Sequence, residues 1–335
     1  MKQSFRILEY AYLIIIISIT SLALFSNRFG WSLYLEIFSH FQVQYFIITL
    51  LLALGTLILR HFRFLLAALF FSAILAAQIL PWYIPSHTSI LQANYRILVA
   101  NLNFSNQDAT QTLALIDTEQ PDLALFIEVS QAMETQLEAL NTTMPYSANE
   151  AAKSGLILYS KYPLTNVRLK QFGLNARKSL TADLKVNGQL LSLVAVHPLP
   201  PMGRKMFQSR NTLLADAGDH IKNQTIPVIF MGDLNTTMWS PYYQSFIRKT
   251  GLKNARKGFG IRPTWPAVAS YYGLPNIVQA IIKPLQIPID HCLVNSQVTV
   301  VDSRTSIETG SDHLPLITDL WIKSTAVTDG FSNFL

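Results

Sequence analysis

With one cysteine, Cys292, the chain has no intramolecular disulfide, and its redox compartment is left open. Zinc is poorly served, because the seven histidines are scattered, two of them (His40 and His61) lie in the apolar front of the chain, and no Cys/His pair has zinc-type spacing. A serine hydrolase of the nucleophile-elbow kind is disfavoured by the absence of any Gly-x-Ser-x-Gly. Charge is also scarce, at 14% of residues. Setting aside the five bases and two acids before position 86 leaves 21 bases against 18 acids. That balance is too mild to argue for nucleic-acid binding by itself.

What the chain has in excess is apolar residues, half of its 335 positions, concentrated at the front. Residues 10–25, 41–59 and 64–80 are three runs without a charged side chain, each near the length that crosses roughly 30 Å of hydrocarbon. They predict three transmembrane helices and an anchor over residues 1–85. A cleaved signal peptide competes for the first run, since Lys2 and Arg6 precede it, but two further runs favour an anchor. Buried helices of a soluble domain are the other alternative. Lys2, Arg6, Arg60 and Arg63 fall on one side of the expected membrane, whereas Arg28 lies on the other and is offset by Glu36. An integral inner- or plasma-membrane protein with a cytoplasmic amino terminus is therefore expected, its 86–335 domain on the non-cytoplasmic side. Pro81, Pro85 and Ser86 mark a linker, read over Pro81–His87.

From residue 95 short apolar runs alternate with amphipathic ones. Strands are expected over 95–102, 122–129, 156–159, 164–169, 180–186, 189–196, 228–231, 291–295, 297–302 and 314–322, and helices over 108–120, 131–140, 205–221 and 241–250. Asn187-Gly188 is a hairpin turn, because it supplies the positive φ angles of a two-residue loop. Two sheets packed face to face with helices outside is the predicted α/β architecture, and one open parallel sheet is its alternative.

Polar side chains recur where these strands begin or end: Asn101, Glu128, His197, Asp233, Asp290, and Ser311-Asp312-His313. Gly232-Asp233-Leu234-Asn235 breaks an apolar run, and an extended backbone would turn Asp233 and Asn235 into one cleft. An ordinary turn, with Asx side chains bonding their own backbone, is the plainer alternative. Glu128 and Asp312 could hold a hard divalent cation, and a histidine beside a carboxylate could move a proton near neutrality.

Taken in order, Asn101, the Pro-Asp-Leu-Ala-Leu-Phe-Ile-Glu run ending at Glu128, the segment Ser154–Leu164, His197, Gly232-Asp233-Leu234-Asn235, Ile289-Asp290-His291 and Gly310-Ser311-Asp312-His313 resemble the motifs of the endonuclease/exonuclease/phosphatase superfamily, the DNase I-like fold. The resemblance spans about residues 94–322. It implies a four-layer α/β sandwich and a phosphoesterase using Mg2+, with Mn2+ possible. It also implies roles. Glu128, Asn101 and Asp312 would serve the metal, Asp233 would orient the water, and Asn235 would bind phosphate. His313, paired with Asp290, would polarise the water or phosphoryl oxygens, and His197 would stabilise phosphoryl charge. Arg210 is a weaker phosphate candidate whose plainer reading is a solvated helix arginine.

Substrate is not implied by fold. A nuclease-like phosphodiesterase is the first expectation. A phosphatase or phosphodiesterase acting on lipid headgroups, as sphingomyelinases and phosphoinositide phosphatases do, is the second, and a catalytically silent scaffold the third. The substrate would be a nucleic acid, a lipid headgroup or a small phosphodiester. Two surfaces admit more than one reading. The basic cluster Arg248, Lys249, Lys253, Arg256, Lys257 and Arg262 is either a solvated face or a site for a polyanion or anionic headgroup. The apolar segment Trp265–Pro288 either rests on a bilayer, walls the cleft, or packs on the core.

Overall fold

The computed structural model describes residues 2–85, 91–173 and 177–324. Its amino-terminal part is helical: α1 (Lys2–Arg28), α2 (Leu33–Phe38), α3 (Gln42–Ile58) and α4 (Phe62–Ile79). Three stretches, Tyr10–Arg28, Leu33–Ile58 and Phe62–Trp82, are long and apolar enough to cross a membrane. Their large apolar side chains stay exposed, Ile14, Leu51, Ile58, Leu66 and Phe70 among them, which water would penalise and hydrocarbon would not. The sequence did not signal α2, a six-residue turn of helix capped by Ser32, whose hydroxyl accepts from the Leu35 N–H at 3.3 Å. Its Glu36 is no exposed loop charge offsetting Arg28, because the residue is fully buried. Pro81 lies in a short 3-10 turn, Leu80–Trp82, and the His87 end of the expected linker lies outside the described residues.

The remainder forms β1 (Tyr95–Asn101), α5 (Thr110–Glu119), β2 (Leu123–Ile127), α6 (Gln131–Leu137), β3 (Tyr146–Glu150), α7 (Ala151–Ser154), β4 (Leu156–Ser160), β5 (Leu164–Gln171), β6 (Lys178–Val186), β7 (Gln189–Ala195), α8 (Arg204–Ile221), β8 (Val228–Asp233), α9 (Pro241–Thr250), β9 (Lys253–Asn254), α10 (Asn276–Ile282), β10 (Asp290–Val294), β11 (Val298–Thr305) and β12 (Leu316–Ile322). These strands make two six-stranded sheets, in the orders β11-β12-β1-β2-β4-β3 and β5-β6-β7-β8-β10-β9, so the single open sheet is excluded. Each sheet centres on one parallel pair, β1 with β2 and β7 with β8, joined through α5 and α8 and flanked by antiparallel neighbours. The two orders are thus the same arrangement used twice.

Side-chain alternation explains the layering. Ile97 and Val99 of β1, Leu123 and Leu125 of β2, and Ile229 and Met231 of β8 point between the sheets. Leu98, Ala100, Ala124 and Phe126 point the other way, under α5 and α6. Val228 and Phe230 meet α8 and α9 on the far face, where Ile79 of α4 joins the same cluster. The result is the DNase I-like α/β sandwich, with the apolar helices packed against one outer layer. Contacts across that seam include Tyr242 Oη to Gly30 O at 2.7 Å and Gln244 Nε2 to Asn27 Oδ1 at 2.7 Å.

Local chemistry sets the ends. Asn187 and Gly188 take φ of 51° and 80° in the β6–β7 hairpin. Ser240 caps α9 ahead of Pro241, and Gly251 closes it at φ 69°. Strand β12 starts at Leu316 rather than Leu314, since the Leu314 N–H is drawn to Thr264 O instead. The edge strands β3 and β9, with mixed or very short apolar patterns, had not been expected.

Candidate active site

The carboxyl ends of the four central strands point to one place. Asn101 closes β1, Glu128 follows β2, His197 stands two residues past β7, and Asp233 closes β8. Asp290 opens β10 directly opposite Asp233 in register, and His313 precedes β12 beside β1. Backbone geometry aims these groups. Glu128 holds φ 56° immediately after its strand. Gly232 has φ 148° and lies so close to β7 that a Cβ there would sit 1.8 Å from Val196 O. No side chain can replace it without moving His197 or Asp233.

At the centre, Asp233 is buried and accepts from Asn101 Nδ2 at 3.1 Å and from the Asn235 N–H at 2.8 Å. Its Oδ2 lies 3.9 Å from His197 Nε2 and 3.8 Å from His313 Nε2. Burial and the neighbouring Asp290 charge push its carboxyl up to about 7. Asp290 holds His313 Nδ1 at 2.8 Å. Burial opposes the His313 charge, but Asp290, Asp233 and Asp312 outweigh it and raise the imidazole to about 10. Burial likewise opposes ionisation of Asp290, and the His313 charge and hydrogen bond lower it nonetheless. At neutral pH the pair is a carboxylate and an imidazolium.

His197 is governed differently. Burial, then the Arg177 charge, press its pKa well below the usual value, so it stays neutral. Arg177 Nη1 donates to His197 Nδ1 at 2.7 Å, which leaves the proton on Nε2, 3.4 Å from Glu128 Oε1. Sequence reasoning had missed Arg177. A lone arginine at the start of a strand gives no signal until β6 is folded beside β7.

The remaining residues are less central. Asn235 does not continue an extended strand: it takes φ 49°, its N–H bonds Asp233, and its Nδ2 donates to Pro198 O at 3.1 Å. The Asx turn is therefore real, and it coexists with a convergent site instead of replacing it. Asp312 accepts from Asn103 Nδ2 at 2.8 Å and Trp265 Nε1 at 3.4 Å. It lies at the rim, against the segment that begins at Trp265. Arg210 is not a solvated arginine, because it is fully buried and its Nη1 donates to Asn235 O at 2.9 Å. Arg256 likewise leaves the supposed solvated basic face: it is buried, and desolvation lowers it to about 10.

The donors suit a hard cation. Ligand atoms of Asp233, Asp290 and His313 lie within 4.8 Å of one another, and Asp290 Oδ1 is buried without a hydrogen-bond partner. Glu128 is tied down only by contacts at 3.4 Å, and oxygen donors outnumber the rest. Two crowded buried carboxylates beside an open one are a donor set that a divalent ion would relieve. A cleft of 820 Å³, lined by Gly173, Leu199, Lys205, Ser209 and Thr212 among others, opens two residues beyond His197.

The sequence pattern of the Endonuclease/Exonuclease/phosphatase family matches residues 98–313. No curated protein matches the chain. Among solved structures, an endonuclease/exonuclease/phosphatase from Beutenbergia cavernae aligns at 18% identity and TM-score 0.54, over 69% of this chain and 72% of that one. D. rerio TDP2 complexed with single strand DNA product aligns at 17% and 0.53, over 68% and 98%. Sphingomyelinase C from Streptomyces griseocarneus aligns at 15% and 0.50, over 68% and 99%. At these identities the likeness establishes the fold.

Proposed function

The chain belongs to the Endonuclease/Exonuclease/phosphatase family, and from that premise we propose that it is a membrane-anchored phosphoesterase that hydrolyses phosphodiester bonds with a divalent cation, Mg2+ or Mn2+. The observation that supports this most is the meeting of Asn101, Glu128, His197, Asp233, Asp290 and His313 at the common end of two sheets. Glu128 and Asn101, with Asp312 at the rim, would hold the cation, which when bound supplies positive charge against the phosphoryl oxygens. Asp233, with a pKa near neutrality, accepts the proton of the attacking water. Attack forms a bond from the water oxygen to phosphorus and breaks the bond to the leaving alcohol, which takes its proton from solvent. His197 and the charged His313 donate Nε2–H groups to the phosphoryl oxygens, and the free amide hydrogen of Asn235 fixes a third.

The direct test uses the full-length protein in detergent. Bis-p-nitrophenyl phosphate is expected to be hydrolysed with Mg2+ or Mn2+, the activity lost to EDTA and restored by either ion. Silence on this ester, on nucleic acids and on phospholipids, with metal present, would overturn the reading in favour of a scaffold. The basic residues flanking the apolar helices support a catalytic domain on the non-cytoplasmic side. Intact cells should therefore hydrolyse this charged ester without permeabilisation.

A lipid headgroup as the substrate is supported by one further observation. The segment after Trp265 is divided: Tyr271 packs inward, whereas Tyr272, Ile277 and Ile281 are 84%, 70% and 60% exposed. Helix α10 therefore carries an uncovered apolar face, and Gln44 of α3 holds the turn after it through Pro284 O at 2.9 Å and Gln286 O at 3.2 Å. Trp31 and Tyr34, exposed at the same end of the apolar helices, fit an interfacial aromatic belt. Replacing Ile277 and Ile281 together by serine is expected to lower turnover on phospholipid vesicles about tenfold, with little effect on the soluble ester. Equal effects on both substrates would remove the membrane-surface role.

A further inference from the structure

Burying a charge is costly unless it is paired, and two charges are buried here besides the polar cluster's own ion pair. Glu36 of α2 and Arg210 of α8 are both fully buried, with Arg210 Nη2 3.1 Å from Glu36 Oε1. They belong to different parts of the chain. Glu36 lies between the first two apolar helices, and Arg210 lies under the loop that leaves β8. What they share is that loop. Arg210 Nη1 donates to Asn235 O at 2.9 Å, and the Thr236 hydroxyl donates to Glu36 Oε1 at 3.1 Å. His40 completes the set: its Nε2 lies 3.3 Å from Glu36 Oε2, and its Nδ1 meets the Thr237 hydroxyl at 3.0 Å. Three consecutive residues, Asn235, Thr236 and Thr237, are thus each fixed by Arg210 or by the anchor.

We propose that the segment Leu33–Phe41 is a built-in part of the catalytic site, with Glu36 acting through Arg210 as a positioning residue for the Asp233–Asn235 loop. The inference rests on the reading of that loop as catalytic. Asn235 sits at φ 49° and its own N–H is the donor that orients Asp233, so a shift of its carbonyl is carried to the carboxylate. The Asp233 carboxylate does not reach the anchor directly. Its orientation depends on a turn that a side chain of the membrane part holds from behind. Tether and catalyst are one unit in this arrangement. Local disturbance of α2 would change turnover without touching any group that contacts substrate.

The test uses full-length protein in nanodiscs, comparing Glu36→Ala, Glu36→Gln, Arg210→Met and the Glu36→Ala/Arg210→Met double variant. Asn27→Ala serves as control, because Asn27 bonds Gln78 of α4 at 2.6 Å and, across the same seam, Gln244 at 2.7 Å without reaching the loop. Glu36→Ala is expected to lower kcat about tenfold or more, to leave KM within about twofold, and to speed amide hydrogen exchange at residues 235–237. Glu36→Gln, which keeps the acceptor oxygen, should recover part of the loss. The double variant should lose less than the sum of the two single losses, because the Arg210–Glu36 contact is shared. Unchanged kcat and exchange in Glu36→Ala, additive losses in the double, or an equal kcat loss in Asn27→Ala would each overturn the proposal. If the wild-type protein hydrolysed no ester, the phosphoesterase reading would fall, and the exchange comparison would still decide whether Glu36 holds the loop.

Discussion

Asp233→Asn is expected to lower kcat on a phosphodiester about a thousandfold while KM stays near that of the wild type and the melting midpoint is no lower. The substitution is isosteric. An asparagine at 233 can still accept from the Asn235 N–H through one oxygen, so the turn survives. What it cannot do is take a proton. Asp233 is the group whose burial and carboxylate neighbour raise its pKa to about 7, where a base is strong enough to help water attack and still ionised in a useful fraction. The buried Asp290 has no such freedom, because His313 holds it as a carboxylate. If kcat of the folded variant stayed within tenfold of wild type, Asp233 would not be the base, and Glu128 would inherit that role.

The division of labour between these two aspartates shows what could be read from the chain and what could not. Motif order, strand ends and the Asn187-Gly188 turn are local signals, and the sandwich follows from period-two alternation in strands such as 97–100 and 228–231. Asn101, Glu128, His197, Asp233, Asp290 and His313 all sit at such ends, which is why they could be named in advance. Their partners could not. Arg177 acquires meaning only when β6 lies beside β7, and Glu36 only when α2 of the apolar amino-terminal part meets α8. Arg210 and Arg256 have neighbours of ordinary surface composition and were therefore expected in solvent, yet both are fully buried, Arg210 against Glu36 far away in sequence. The extended reading of Asp233 and Asn235 failed for a related reason. The Asx bond that bends the chain forms locally, and Arg210, His291 and Glu36 hold the turn from behind.

Without divalent metal, the full-length protein is expected to be most stable near about pH 6.5 to 7 and to lose stability in both directions. On the acid side, His197 and His291 are buried neutral, with pKa values pressed below the ordinary 6.5, chiefly by desolvation. Below that pH the unfolded chain takes up two protons that the folded one refuses. Asp233, protonated when folded up to about 7 and ionised above 3.8 when unfolded, opposes this by one proton. The net slope is about one proton, or roughly 1.4 kcal/mol per pH unit, lost as pH falls. On the alkaline side, His313 is raised from 6.5 to about 10, so its contribution is complete below 6.5 and drains away as pH rises through 10. Between pH 7 and 9 that amounts to roughly 2 to 3 kcal/mol, or a melting midpoint about 3 to 5 °C lower. Divalent cations should raise the midpoint more at pH 8.5 than at pH 5.5, because below about 7 a proton neutralises Asp233, whose charge beside Asn101 otherwise favours a cation at the neighbouring site. Thermal scans across this range, with EDTA and with Mn2+, check both parts. A midpoint that held steady from pH 7 to 9 would mean that His313 is not charged in the folded protein, and an equal cation gain at both pH values would mean that the Asp233 charge is not felt at the cation site.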